Sequence, residues 1–288
     1  MPTRRQFLQQ TSLAATGLLF DKSEWFARNK PVGLQLYTLR DEVAKDLKST
    51  IARIAEIGYK NVETFGYAEG KYFGLSTADF AAIFTQHNLK TPSGHYMILD
   101  YLGKGDEDDL KRAVADSKPL AHDFFTIPYL TEPLRTGLDD YKRLADRLNK
   151  AGAVVKDAGM KLAYHNHNFE FQDWGGGKTG YDILLTQTDH DLVNFEMDIY
   201  WVSKAGVDPI KLIKENPGRF KMWHVKDMDS TPEKSFTEVG TGVIDYKEIF
   251  KYKKLSGMKH FFVEQDHIKI DPYVSITKSL HYIKDNLL

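Results

Sequence analysis

The chain has no cysteine in its 288 residues. A disulfide framework, a thiolate metal site and a cysteine nucleophile are therefore excluded. It has no excess charge of either sign: 39 basic residues stand against 40 acidic ones, for a formal net charge of −1. A protein whose main partner is nucleic acid usually carries a basic footprint, so no nucleic acid is expected. The apolar run Leu13 to Phe20 falls far short of the ~20 residues that span a bilayer, so no stable membrane insertion is expected. No glycine-rich phosphate turn follows the first apolar strand, where Tyr37-Thr38-Leu39-Arg40 stands instead. That absence argues against an open dinucleotide-binding sheet. No linker or shift of composition divides the chain.

What is present begins at the N-terminus. Thr3-Arg4-Arg5-Gln6-Phe7-Leu8 precedes the apolar run, and a basic region followed by a short apolar one resembles a twin-arginine export signal. Residues 1–30 are expected to be an export segment leading to the periplasm, and residues 31–288 a single domain. Export of this kind usually carries a protein already folded, often with its metal loaded. Hydrophobic content of 42% and aromatic content of 12% are ample for a globular core.

From Val32 onward short apolar runs alternate with segments of helical periodicity. The expected strands are Val32 to Tyr37, Asn61 to Phe65, Leu89 to His95, Asp123 to Ile127, Met160 to His165, Leu192 to Asp198, Phe220 to His224 and His260 to Glu264. Between them, Asp46 to Ile57, Ser76 to His87, Leu138 to Ala158 and Tyr273 to Asn286 carry the clearest helical patterns. Eight such units imply a parallel sheet closed into a (β/α)8 barrel, an α/β TIM barrel.

The last four strands end in polar residues: Tyr164-His165-Asn166-His167, Phe195-Glu196-Met197-Asp198, Trp223-His224-Val225-Lys226-Asp227 and Phe262-Val263-Glu264. Alternate residues of a strand share a face, so His165 and His167 are expected to project together. The active face of such a barrel lies at the C-terminal strand ends. His165, Asp198, His224 and Glu264 together offer two imidazoles and two carboxylates. A nitrogen and oxygen set without sulfur suits one divalent ion such as Mn, Co, Zn or Fe better than Ca. Singly, each residue has a plainer explanation: a hydrogen-bonded core histidine, a helix cap at Asp198, an ion pair between Glu264 and a lysine.

The phrases Tyr164-His165-Asn166-His167-x-x-Glu170-Phe171, Glu196-Met197-Asp198-x-Tyr200-Trp201, His224-x-Lys226-Asp227, Gly240-x-Gly242 and Val263-Glu264 resemble the sugar phosphate isomerase/epimerase family with a xylose-isomerase-like barrel. That group includes inosose dehydratase-like members. The resemblance implies one divalent ion held by Glu, Asp, His and Glu at strands five to eight. Asp198, His224 and Glu264 match three of these, whereas His165 stands where sugar epimerases carry the first glutamate. It further implies Glu170, Glu264 and His167 as proton-transfer residues, and Glu63, His95, Lys226 and Trp201 as substrate-binding ones. The expected activity is isomerisation or epimerisation of a sugar or keto-sugar by proton abstraction beside a carbonyl. A lyase or dehydratase acting on a keto-sugar or inosose-like polyol is the rival, and a non-catalytic carbohydrate-binding barrel the third reading. The expected partner is a small sugar or polyol, and a homo-oligomer is compatible with the composition.

Overall fold

The computed structural model describes residues 31–288; the twin-arginine export segment expected at residues 1–30 lies outside them. Eight strands form a closed barrel: β1 (Gly33–Gln35), β2 (Asn61–Thr64), β3 (Lys90–His95), β4 (Phe124–Ile127), β5 (Lys161–His165), β6 (Val193–Asp198), β7 (Phe220–Val225) and β8 (His260–Val263). Each pairs in parallel with its sequence neighbour, and β8 closes on β1 with Phe262 opposite Gly33. Helices cover the outside, so the strands are buried on both faces and read as near-continuous apolar runs.

Helix ends follow local chemistry. Asp46, expected as the first helical residue, is instead the N-cap of the helix Leu47–Ile57, with its carboxylate accepting from the Ser49 amide. Ser76 caps Thr77–Gln86 through the amide of Asp79, three residues on, as its position suggests. The first strand is shorter than its apolar run because the Gln35 side chain accepts from the Tyr37 amide and starts a 3-10 turn. Two features were not anticipated: a three-stranded antiparallel sheet between Tyr67 and Ser76, and a two-stranded ribbon pairing Asp227–Met228 with Phe236–Thr237. Two-residue strands carry too little periodicity to be read from sequence.

The barrel interior is layered, and the layering places the site. Phe124, Ala163, Met222 and Phe262 form a small buried apolar cluster. Two residues further along the same strands come Thr126, His165, His224 and Glu264. A period of two keeps them on the interior face, so the polar layer stands directly on the apolar plug. The motif Gly240-x-Gly242 serves the support of this layer. The Asp227 carboxylate accepts from the amides of Gly240 (2.8 Å), Gly242 (3.1 Å) and Ile244 (3.2 Å). A side chain at Gly242 would collide with the Met228 carbonyl and the Asp227 carboxylate, and Gly240 holds φ +91°, which favours glycine. Tyr246 adds a hydrogen bond to the Lys226 carbonyl, so the backbone beneath Lys226 is fixed from two sides.

Candidate active site

Four strand ends converge. His165 ends β5 and is 3% exposed. Its Nδ1–H donates to the Pro128 carbonyl at 3.1 Å. In the neutral ring Nε2 then holds a lone pair, 3.2 Å from Asp198 Oδ2. Asp198 ends β6. Its Oδ1 caps the next helix through the Trp201 amide at 3.0 Å, so the cap and the outward Oδ2 are separate uses of one carboxylate. On β7 the Nε2–H of His224 donates to Glu63 Oε2 at 2.6 Å. Its Nδ1 lies 2.7 Å from Glu264 Oε2; burial opposes charge on this ring, but Glu196, Glu264 and Glu63 hold it well above the ordinary imidazole range. Both of these atoms are buried.

Buried nitrogen and oxygen atoms this close together need positive charge between them, which the Lys226 ammonium supplies in part, 2.6 Å from Glu264 Oε2 and 3.0 Å from Asp198 Oδ2. Ligand atoms of His165, Asp198, His224 and Glu264 all lie within 4.8 Å of one another. Two imidazoles and two carboxylates suit a first-row divalent ion. In both histidines the second nitrogen is held by a carbonyl or a carboxylate, the arrangement that orients metal-ligating imidazoles. On these observations the residues fit a metal.

Lys226 shares the same oxygens. Its ammonium lies 2.6 Å from Glu264 Oε2, 3.0 Å from Asp198 Oδ2 and 3.2 Å from Asp266 Oδ1. Burial works against its charge, yet Asp198, Asp266 and Glu264 hold the ammonium well above the usual lysine range. Burial also opposes the Asp198 charge, but Lys226 and His165 bring that carboxyl down to about 2. Lys226 and an entering ion compete for the same two carboxylate oxygens, and Asp266 offers the ammonium another place.

Behind His224 lies a second group. Oε2 of Glu63 and of Glu196 face Nε2 of His95 and of His224, and the Gln35 amide donates to Glu63 at 2.7 Å. Glu63 and Glu196 are fully buried.

A cavity of about 570 Å³ opens over this centre. His95, His165, His167, Lys226 and Glu264 form its polar side, and Tyr37, Phe65, Tyr67, Met97 and Tyr129 its apolar walls. A few polar groups against aromatic walls is the usual make-up of a small-molecule site. His167 projects beside His165, with ring centroids 5.0 Å apart, as the strand alternation suggests. It stacks on Phe169, and its Nδ1 is buried without a partner. Burial, helped by His165 and Lys226, pushes its imidazole well below the ordinary range.

Five expected site residues do not line the cavity: Asp198 and His224, which lie beneath it with the other candidate ligands, and Glu63, Trp201 and Glu170. Glu63 lies under His224. Trp201 flanks the site, its ring 5.4 Å from that of His167 and 5.8 Å from the Lys226 ammonium. Glu170 is fully buried, accepting from the Tyr164 hydroxyl at 2.7 Å and the His167 amide at 2.8 Å. The 3-10 turn Phe169–Phe171 points it back into the protein, which removes it from proton transfer with a bound ligand and makes it a brace for the His167 loop. Burial raises its carboxyl to about 7, despite the hydrogen bond from Tyr164. A carboxyl raised in the folded state stabilises fully below its unfolded value and loses that contribution as pH rises through the folded one. Wild-type stability should therefore fall by about 3 kcal/mol between pH 5 and 8 from this group. Glu170→Gln should flatten that slope in urea titrations across the range; an unchanged slope would show that Glu170 is ionised throughout.

Glu196, Asp266, Arg40 and Tyr129 were given no role in the sequence reading. Only Glu196 carried a signal: it precedes Asp198 by two residues and so shares its face. Asp266 and Tyr129 come from loops and Arg40 opens the short helix Arg40–Lys45, and their approach to the barrel mouth has no sequence period.

Residues 51–272 match the family model of the xylose isomerase-like TIM barrel. The chain belongs to that family. Among curated relatives, it is 30% identical over 167 residues to an inosose dehydratase of Clostridium beijerinckii, covering 51% of this chain and 55% of that protein. An inosose dehydratase of Lacticaseibacillus casei is 28% identical over 165 residues. The chain thus spans about half the length of the curated relatives it matches. A sugar phosphate isomerase/epimerase structure from Parabacteroides distasonis superposes with a TM-score of 0.78 at 28% identity, covering 88% of this chain and 93% of that one. The IOLI protein, solved with a zinc atom, shares the fold at a TM-score of 0.69 and 16% identity. Relatives named as enzymes include inosose dehydratases and a sugar phosphate isomerase/epimerase. No helix among the described residues is long and apolar enough to cross a membrane.

Proposed function

We propose that the chain is a divalent-metal-dependent isomerase or epimerase acting on a sugar or keto-sugar by proton abstraction beside a carbonyl. The observation that carries this reading is the convergence of ligand atoms of His165, Asp198, His224 and Glu264 within 4.8 Å of one another beneath a sugar-sized cavity. A divalent ion held by these four residues supplies charge stabilisation for a carbonyl oxygen as negative charge develops on it. His167, neutral and with a free Nδ1 at the cavity wall, accepts the proton. Glu264 stands across the floor as the second proton-transfer group, and the Lys226 ammonium stabilises negative charge on a neighbouring oxygen. His95 binds a hydroxyl. The lysine and arginine of the cavity are already engaged, Arg40 donating to the Asp266 carbonyl at 2.7 Å. That engagement, with the export segment read in residues 1–30, favours an unphosphorylated periplasmic substrate.

A second reading, elimination of water from a keto-sugar or inosose-like polyol, is favoured by one specific observation. The two proton-transfer groups are unlike, an imidazole and a carboxylate, where exchange of a proton between two faces is best served by two alike carboxylates. The inosose dehydratase relatives point the same way.

Incubation of metal-loaded protein with a panel of keto-sugars in heavy water tests the proposal. Deuterium entering beside the carbonyl, with an isomeric product, is expected. Loss of water with an unsaturated product would transfer the chemistry to the lyase. Saturable sugar binding with no exchange would contradict both and leave a carbohydrate-binding barrel.

A further inference from the structure

The group behind His224 is not explained by the ion site in front of it. Glu63 Oε2 lies 2.6 Å from His224 Nε2 and 3.2 Å from His95 Nε2, while Glu196 Oε2 lies 3.0 Å from His95 Nε2 and 3.2 Å from His224 Nε2. Four nitrogen–oxygen contacts thus close a ring. Each imidazole nitrogen carries at most one hydrogen, so at most two of the four contacts can be linear hydrogen bonds. Glu63 Oε1 and Glu196 Oε1 are also buried and without a partner, although neither residue is exposed to water. A buried carboxylate oxygen with no donor is costly.

We propose that Glu63, His95, Glu196 and Nε2 of His224 form a second divalent-cation site, deeper in the barrel than the first. Ligand atoms of these four residues lie within 4.8 Å of one another, and contacts of 2.6–3.2 Å suit neighbouring ligands of one ion at the ~2.0–2.2 Å typical of nitrogen and carboxylate donors. The nitrogen and oxygen set favours Mn, Co or Zn. His95 lines the cavity and gives the ion an entry path. His224 spans the two sites, Nδ1 forward and Nε2 back.

Metal stoichiometry decides the matter without any assay of activity. Full-length protein is stripped with a chelator, titrated with Mn²⁺, and bound metal counted by elemental analysis and by the loss of free Mn²⁺ signal in electron paramagnetic resonance. Two equivalents are expected in the wild type. Glu196→Gln and, from a different strand, Glu63→Gln should each retain one equivalent, and Asp198→Asn should retain the other. One equivalent in the wild type, lost in Asp198→Asn and kept in both glutamine variants, would overturn the second site and leave the front ion intact. One equivalent lost in the glutamine variants and kept in Asp198→Asn would instead remove the front ion on which the proposed function rests.

Discussion

Replacing His224 with alanine abolishes bound metal at the barrel mouth and lowers turnover by more than about 100-fold, beyond the loss typical of residues that only orient a ligand. The magnitude follows from the two nitrogens of this ring. Nδ1 is one of the four donors of the front site, and Nε2 ties Glu63 in place at 2.6 Å. Gln35 and His95 would still hold Glu63, so the loss falls mainly on the front site. Glu63, Glu196 and Glu264 would lose a common partner, so the variant should also be less stable, and its metal content must be measured per folded molecule with circular dichroism as the control. A folded variant with full metal occupancy at the front site would show that the ligand set is wrong.

The second large effect concerns Lys226. Lys226→Met keeps the length of the apolar stem but removes the ammonium from Asp198, Glu264 and Asp266. Breaking a buried ion pair from one side costs about 3–5 kcal/mol. Lys226 is 2% exposed, so solvent screening offers little relief, and metal-free Lys226→Met should be destabilised by about that amount in denaturant titrations. The same variant frees the oxygens that Lys226 and an ion share. At one and the same metal concentration divalent metal should then stabilise the variant more than the wild type, by about 2.7 kcal/mol where that concentration is one hundred times the variant's dissociation constant and well below the wild type's. Equal metal stabilisation of both proteins would show that lysine and ion do not compete. Turnover should fall as well, since the ammonium lines the cavity.

The barrel was legible because its determinants are periodic. Phe124, Ala163, Met222 and Phe262 repeat every second residue with the polar positions above them, and that alternation survives in the sequence whatever the loops do. His165, Asp198, His224 and Glu264 were readable as a set for the same reason, since consecutive parallel strands place their ends side by side. Direction beyond the strand end was not readable. Glu170 and His167 are three residues apart on one loop, yet a 3-10 turn sends one into the core and leaves the other at the cavity. The role of Glu63 was obscured by depth: its strand position places it inside the barrel, but whether it meets a ligand or the far side of His224 depends on layers contributed by β6 and β7. Lys226 was read as a substrate contact from its motif, and its ion pairs with Asp198 and Glu264 required the relative height of three strands.

A crystal of the protein grown with Mn²⁺, and an anomalous difference map collected near the manganese edge, tests the central claim most directly. The account predicts a peak bounded by Nε2 of His165, Oδ2 of Asp198, Nδ1 of His224 and Oε2 of Glu264. A map without anomalous density there, with the Lys226 ammonium alone among those carboxylates, would contradict it.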